Sequence, residues 1–190
     1  MKKRTAPRII AGSLKGLRLR SIPGDQTRPI TDRVKENLFN IIGNDIIDSS
    51  FLDVFSGTGS VGIEAYSRGA EFIQFIEKNK KSYSILSKNL EYISNQNAFN
   101  LINTNAFIFL KSFSFSRFDY IFIAPPQYHR MWIKALNLVD DNKSLLTDDG
   151  WIIVQIDPVE YESIHLLNFI EFDQRKYGST LLIFYIPNIM

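Results

Sequence analysis

The sequence has no cysteine among its 190 residues, so disulfide bonds and thiolate metal sites are excluded. Its two histidines, His129 and His165, lie far apart in the chain, and we expect no metal site. No apolar run approaches the roughly 18 residues that a membrane span requires. The basic start of the chain has only a three-residue apolar patch before Gly12. We therefore expect a cytoplasmic protein that binds neither a membrane nor a metal.

The positive charge is concentrated at one end of the chain. Residues 1–35 contain ten Lys or Arg against two Asp, a local balance of +8, although the net charge of the whole chain is only +2. Such a cluster beside an otherwise acidic body is typical of a surface that contacts nucleic acid phosphates. A disordered, solubilising tail is the alternative.

The pattern within this basic segment favours the nucleic acid interpretation. Ile10, Leu14, Leu17 and Leu19 recur among turn glycines, which predicts a short β-hairpin rather than a tail. We therefore predict that residues 1–30 form a small RNA-gripping extension and that residues 31–190 form the main domain. The candidate RNA contacts are six cations of the basic residues 1–35: Arg8, Lys15, Arg18, Arg20, Arg28 and Arg33.

The rest of the chain alternates between strand and helix patterns. A helix capped by Thr31 or Asp32 comes first. Strands are then predicted at 51–55, 72–76, 99–103, 119–123 and 151–156, with helices at 60–67, 80–93, 106–111 and 130–139 between them. Near-continuous apolar strands separated by amphipathic helices predict an α/β fold with a parallel sheet covered on both faces. Two closing strands, 169–176 and 180–186, have a link so short that they must be antiparallel.

The most informative motif is FLDVFSGTGSVG, residues 51–62, in which Asp53 precedes a glycine-rich turn. Gly57, Gly59 and Gly62 fit the GxGxxG spacing that lets a ligand lie against backbone. A carboxylate at Asp53 would repel the pyrophosphate of a dinucleotide, but it suits the sulfonium and ammonium of S-adenosylmethionine (SAM). Glu77, at the end of the next strand, is placed to bind ribose hydroxyls. NAD, or a turn without a ligand, remain the alternatives.

Other candidate ligand contacts follow the remaining strands, because ligands of such sheets bind beyond the carboxyl ends of the strands. These ends are Asn105–Ala106, Ala124–Tyr128 and Gln155–Asp157. Asn105 could hydrogen-bond an adenine edge, or it could simply form a turn. Two successive prolines at 125 and 126 delay the next helix and leave backbone carbonyls able to accept hydrogen bonds from an amino group. A merely rigid turn is the simpler interpretation.

Taken together, the motifs RIIAG with KGLRL, TRPITDRVKENLFNII, LDVFSGTGSVGIEAYSRGA, FIEKN, NTNAFIFL and IFIAPPQY resemble the RsmD family of 16S ribosomal RNA guanine-N2 methyltransferases, the enzymes named for guanine 966. The resemblance covers nearly the whole chain. It implies a Rossmann-like class I SAM-dependent methyltransferase, with a seven-stranded sheet of order 3-2-1-4-5-7-6 and a small N-terminal extension. It also implies a 16S rRNA substrate within the small ribosomal subunit, and we expect a monomer. The implied SAM contacts are Asp53, Phe55, Gly57, Thr58, Gly59, Glu77, Asn105 and Ala106.

One departure from the family concerns the catalytic motif. The family has Asp or Asn, then Pro-Pro, then Phe or Tyr after the fourth strand, whereas this chain has Ala124, Pro125, Pro126, Gln127 and Tyr128. The missing acid would accept the guanine N–H while the nitrogen attacks the methyl group. Its loss would cost about 1.5 to 3 kcal/mol, or about ten- to a hundredfold in rate, if nothing replaced it.

The sequence offers several replacements for that acceptor. The Ala124 and Pro125 carbonyls, the Gln127 amide and Asp157 are candidates, and Tyr128 is placed to stack on a flipped base. The alternatives are a weak or inactive SAM- and RNA-binding homologue that acts in small-subunit assembly and, more distantly, an NAD-dependent oxidoreductase.

Overall fold

The computed structural model describes residues 6–21, 30–112 and 117–188. Its seven strands are β1 (Ser50–Asp53), β2 (Phe72–Ile76), β3 (Phe99–Ile102), β4 (Phe118–Ile123), β5 (Leu146–Ile156), β6 (Phe169–Tyr177) and β7 (Thr180–Pro187). They form one sheet of order β3-β2-β1-β4-β5-β7-β6. The first five strands are parallel, and β7 pairs antiparallel with both β5 and β6. The α/β class and the expected strand order are confirmed.

Within the described ranges, five α-helices connect or precede these strands: α1 (Asp32–Ile42), α2 (Ser60–Ser67), α3 (Lys80–Leu90), α4 (Ala106–Lys111) and α5 (Met131–Asp141). Most predicted bounds agree to within a few residues. The largest error is the start of β5, which begins at Leu146 rather than at 151. The pairing with β4 shifts register there, and the irregular stretch includes the exposed Asp148 and Asp149, so it has no apolar pattern to detect.

The two faces of the sheet are covered differently. One face, which we call the first face, presents Phe51, Phe122 and Ile153 to a core that includes Leu38 of α1 and Leu86 of α3. The opposite, second face packs against α4 and α5 through a separate core. The sheet contributes Leu52, Ile121 and Val154 to this core, and the helices contribute Leu110 and Leu136. Both faces of the parallel strands are therefore buried, which explains their near-continuous apolar sequence.

The N-terminal segment packs onto the first face. Arg8 and Arg18 form an isolated antiparallel bridge, and Ile9 and Leu19 are buried in the first-face core. The predicted hairpin is therefore a chain reversal with a single bridge and no flanking strands. Its two arms bond to each other through the Ile9 N–H and the Leu17 carbonyl at 2.9 Å and through the Leu19 N–H and the Pro7 carbonyl at 2.8 Å. Side chains of the main domain bond further backbone groups of the same segment. The extension boundary at residue 30 stays a prediction.

Glu64 of α2 supplies the principal anchor for this segment. Its fully buried carboxylate accepts the backbone N–H groups of Ile10 at 2.8 Å and Ala11 at 3.1 Å. It also forms ion pairs with Lys35 of α1 at 3.3 Å and with Arg68 at 2.9 Å. Three pieces of the chain are thus joined at one carboxylate.

Lys35 is 1% exposed and donates a hydrogen bond to the carbonyl of Arg8 at 2.7 Å. Burial lowers the pKa of Lys35, and the neighbouring Glu64 opposes that shift. Because Lys35 is enclosed and paired, one of the ten N-terminal cations lies outside any surface that could meet phosphate.

No helix within residues 6–21, 30–112 and 117–188 has the length and apolar character needed to cross a membrane. In the same ranges, no three His, Asp or Glu side chains lie close enough together to hold a metal ion.

We expect Glu64→Gln to lower the free energy of unfolding by about 3 to 5 kcal/mol, because it leaves the Lys35 ammonium buried without its counter-charge. The matched control is Asp148→Asn, which breaks a surface pair with Arg117 and should cost less than about 1 kcal/mol. Urea unfolding followed by tryptophan fluorescence measures both changes. Equal small losses in the two variants would show that the buried pair does not stabilise the fold.

Candidate active site

The carboxyl ends of β1, β2, β4 and β5 meet at one edge of the sheet, and the turn that follows β1 is fixed there by Ser56. The Ser56 N–H donates to the Ile76 carbonyl at 3.1 Å, and the Ile76 N–H donates to the Ser56 hydroxyl oxygen at 3.0 Å. That hydroxyl also donates to the Asp53 carbonyl at 2.7 Å. Residues 54–59, which we call the glycine turn, are therefore tied to the ends of both β1 and β2.

The glycines of the motif serve two different purposes. A Cβ at Gly59 would lie 2.2 Å from Leu86 Cδ1, and one at Gly62 would lie 2.3 Å from Phe75 Cε1, so these two allow α2 to pack closely. Gly57 has φ of +55°, and no described atom lies within 4 Å of the position that its Cβ would occupy. Gly57 therefore exposes backbone at an open place, as ligand binding requires.

Asp53 lies beneath this turn with 2% of its surface exposed. Its Oδ2 accepts the Gly62 N–H at 3.3 Å. Burial raises the pKa of Asp53 to about 7, the Gly62 hydrogen bond opposes that rise, and the negative charge of Glu77 adds to it. No ion pair among the described residues involves Asp53. A cation arriving at this carboxyl would therefore favour its charged form.

Glu77 reaches from the end of β2 back to the glycine turn. Its Oε2 accepts the Gly57 N–H at 2.8 Å, and its Oε1 accepts the Asn79 N–H. Asn103, after β3, donates through its side chain to the Glu77 carbonyl at 2.7 Å. The structure thus brings Glu77 onto the first glycine of the motif, 20 residues earlier in the chain.

The predicted adenine-side residues lie at the start of α4. Asn105 is the N-cap of this helix, and its Oδ1 accepts the Phe107 N–H at 2.9 Å. Ala106 is buried at the first helical position, and Phe55 of the glycine turn packs edge-on against Phe107 with ring centroids 6.1 Å apart. The capping role of Asn105 is established, and its contact with adenine stays a prediction.

Asn89 of α3 is a site residue that sequence reasoning missed. It is buried, and its Nδ2 donates to the Thr58 carbonyl at 3.0 Å and to the Arg20 carbonyl at 3.2 Å. Its Oδ1 accepts the Arg20 N–H at 2.8 Å. The signal was a polar residue within the apolar stripe that includes Leu86 and Leu90, a position that requires buried partners.

Residues 124–128 form the loop after β4. Ala124 packs against the first-face core, whereas Tyr128 is 64% exposed and has φ of +67°. Tyr128 donates its N–H to Glu160 Oε2 at 2.8 Å and its hydroxyl to Asp157 Oδ2 at 3.2 Å. A bulky residue held at positive φ is strained backbone, which is found preferentially at functional sites. The loop thus places the Tyr128 ring at the solvent-exposed rim of the candidate site, and Pro125, Pro126 and Gln127 separate it from Ala124.

The N-terminal cations mostly point outward. Lys15, Arg18, Arg20 and Arg33 are exposed, and Arg8 pairs with Asp32 at the surface at 2.7 Å. The guanidinium of Arg20 also lies over the ring of Tyr92, 5.2 Å from its centroid. Arg28 lies outside the described residues.

Comparison with known proteins agrees with this geometry. A family model described as Conserved hypothetical protein 95 matches residues 7–186. The ribosomal RNA small subunit methyltransferase D of Escherichia coli strain K12 is 36% identical over 148 residues, which cover 78% of this chain and 73% of that protein. The chain belongs to the RsmD family.

Further relatives extend the similarity to nearly the whole fold. YlbH of Bacillus subtilis is 36% identical over 152 residues, 79% of this chain and 82% of YlbH. The solved structure of yhhF from Escherichia coli superposes with a TM-score of 0.85 at 29% identity, covering 96% of this chain and 98% of that one. The Rossmann-like α/β fold inferred from the RsmD motifs is therefore confirmed.

We expect Asp53→Asn to change how stability depends on pH. The Asp53 carboxyl has a pKa of about 7 in the folded protein, against 3.8 as its ordinary value. Between these values the unfolded chain releases the proton while the folded protein retains it. The stability of the wild type should therefore fall relative to that of the Asn variant as pH rises from about 4 to about 7.

Urea unfolding of both proteins across this pH range measures the effect. The Asn variant keeps an acceptor for the Gly62 N–H, so the difference isolates the titrating group. Parallel pH dependences in the two proteins would contradict the raised pKa.

Proposed function

We propose that this protein transfers a methyl group from SAM to the exocyclic N2 of a guanine in 16S ribosomal RNA, in the cytoplasm. The observation that supports this most directly is the pair of carboxylates, Asp53 and Glu77, around the open backbone of Gly57. They lie in a chain whose relatives are named small subunit rRNA methyltransferases. We propose that the 16S rRNA is methylated within the assembled small ribosomal subunit.

The residues present fit SAM better than a dinucleotide. A pyrophosphate needs the backbone N–H groups of the turn, and the Gly57 N–H is already bonded to Glu77. A buried carboxyl with a raised pKa is instead relieved by a nearby cation, and SAM has both an ammonium and a sulfonium. When bound, SAM supplies an electrophilic methyl group. Asp53, Phe55, Gly57, Thr58, Gly59, Glu77, Asn105 and Ala106 would surround it.

The 124–128 loop then positions the target base. Base-modifying enzymes take the target nucleotide out of its stack and hold it against aromatic side chains. Tyr128, exposed at the rim and anchored through Asp157, is suited to that stacking role. Methyl transfer needs the nitrogen, the methyl carbon and the sulfur in line, so holding both reactants supplies most of the acceleration.

The basic segment extends the site toward RNA. Asn89 joins Arg20 of that segment to Thr58 of the glycine turn, so the backbone of the segment is held beside the proposed SAM pocket at Arg20. Phosphates bound by Arg8, Lys15, Arg18, Arg20, Arg28 and Arg33 would fix the register of the RNA rather than its sequence. We propose that the protein acts as a monomer.

The test is single-turnover transfer of labelled methyl from SAM to small ribosomal subunits purified from a strain that lacks the modification. We expect one methyl group per subunit, mapped to a guanine N2, with naked 16S rRNA as a parallel substrate. SAM and RNA binding are measured separately by calorimetry. Because Ala124 replaces the usual acid, no transfer with both ligands bound would identify an inactive binding homologue instead.

We expect the double variant Lys15→Gln/Arg18→Gln to weaken RNA binding and to reduce the slope of log affinity against log salt by about 1.4 to 1.8. SAM affinity should stay unchanged. The matched control is Lys111→Gln/Lys143→Gln, which removes the same charge from α4 and from the short 3-10 turn after α5, elements that pack on the second face of the sheet. Equal slopes in the two double variants would rule out the N-terminal segment as an RNA contact.

A further inference from the structure

Gln155 of β5 has a buried side-chain oxygen, Oε1, with no hydrogen-bond partner among the described residues. A buried amide oxygen without a partner is destabilising, and such atoms in folded proteins call for an explanation. The other two unpartnered buried atoms among the described residues are Trp132 Nε1 of α5, whose side chain packs in the second-face core, and Glu160 Oε1, just after β5. Gln155 Oε1 is therefore the unpartnered buried atom that lies on a strand of the sheet itself.

The register of the sheet places Gln155 beside Ala124. Ile123 of β4 pairs with Val154 of β5, so Ala124 and Gln155 are the next neighbours on adjacent parallel strands. Ile153 belongs to the first-face core, and alternation along β5 directs Gln155 to the same face. Ala124 packs against that core as well.

The distance between β4 and β5 allows an acceptor on Gln155 to take the place of an acceptor at position 124. Adjacent strands lie about 4.8 Å apart, which the longer side chain of glutamine can span. At Ala124 only a methyl group occupies the place where the RsmD motif has an Asp or Asn. A longer side chain at position 124 would therefore lie on the same face of the sheet as Gln155, its neighbour on β5.

We propose that Gln155 is a catalytic residue that accepts the N–H of the target guanine amino group, in place of the acid missing at Ala124. This inference rests on the proposed function. A neutral amide provides the same kind of acceptor as the Asn of the family motif. It also avoids burying an additional charge at a strand end where Asp157, two residues further on, is already buried.

The reaction balances without a protein base. The lone pair of guanine N2 attacks the methyl carbon, the bond from that carbon to sulfur breaks, and S-adenosylhomocysteine leaves. The methylated nitrogen is then positively charged and strongly acidic, so it releases one proton to water. Gln155 accepts a hydrogen bond from this nitrogen as it becomes tetrahedral and takes no proton itself.

The test compares variants at position 155 in single-turnover methyl transfer to undermethylated small subunits. Gln155→Met keeps a similar volume without an acceptor, and we expect the rate to fall at least about tenfold while SAM and RNA affinities stay unchanged. Gln155→Glu retains an acceptor and should keep more of the rate than Gln155→Met. The double variant Ala124→Asp/Gln155→Met returns an acid to the family position and should recover activity relative to Gln155→Met alone.

Gln74→Met is the matched control, because it removes another strand glutamine that is buried and bonded to Asn100 in β3. It should lower stability without changing the rate of transfer. Urea unfolding establishes that every compared variant is folded.

The outcomes separate this inference from the proposed function. Absence of transfer by the wild type defeats the proposed function and this inference together. A wild type that transfers methyl at the same rate as Gln155→Met overturns only the role of Gln155. A rate loss shared equally by the Met and Glu variants, with no recovery on adding Asp at 124, also overturns it, because that pattern identifies a packing role.

Discussion

The fold depends on a buried carboxylate, Glu64, whose partners come from its own helix, from α1 and from the N-terminal segment. Removing a carboxylate from water is costly unless it is paired and hydrogen-bonded. Here two ion pairs, to Lys35 and Arg68, and two backbone N–H groups meet that requirement. Since Glu64 lies on α2, the helix that the glycine turn begins, the same interaction fixes the N-terminal segment, α1 and the floor of the proposed SAM site relative to one another.

Asn89 continues this linkage to the rim of the site. It bonds both Arg20 and Thr58, so the basic segment and the glycine turn share one buried amide. A flexible solubilising tail would not need Ile9 and Leu19 in the first-face core or a buried partner for its backbone. The cations of this segment are therefore attached to a backbone with a fixed position. Fixed cations favour contact with phosphates at defined positions of a structured RNA over non-specific electrostatic attraction.

Patterns within a short window predicted most of the fold. Apolar runs located the strands, the cap at Thr31 located α1, and the short link at Gly178 required an antiparallel final pair. The errors arose where distant partners decide the structure. Lys35 belongs to the basic N-terminal cluster of the sequence, yet it is buried against Glu64. The arms of the N-terminal reversal pair with each other as a hairpin would, and Glu64 and Asn89 bind further backbone groups of this segment.

The candidate site shows the same limit of sequence patterns. Asp53 and Glu77 stand out because a carboxylate at the end of a buried strand has no simple packing role, and both lie at the glycine turn. Gln155 gave no such signal, because a single glutamine near the end of a strand is ordinary. Its importance arises from two facts that only the fold supplies, the neighbouring position of Ala124 and the lack of a partner for Oε1 among the described residues. A protein retains an unmet buried acceptor most readily where a ligand completes it, and in this sheet that place is the strand end beside the altered catalytic motif.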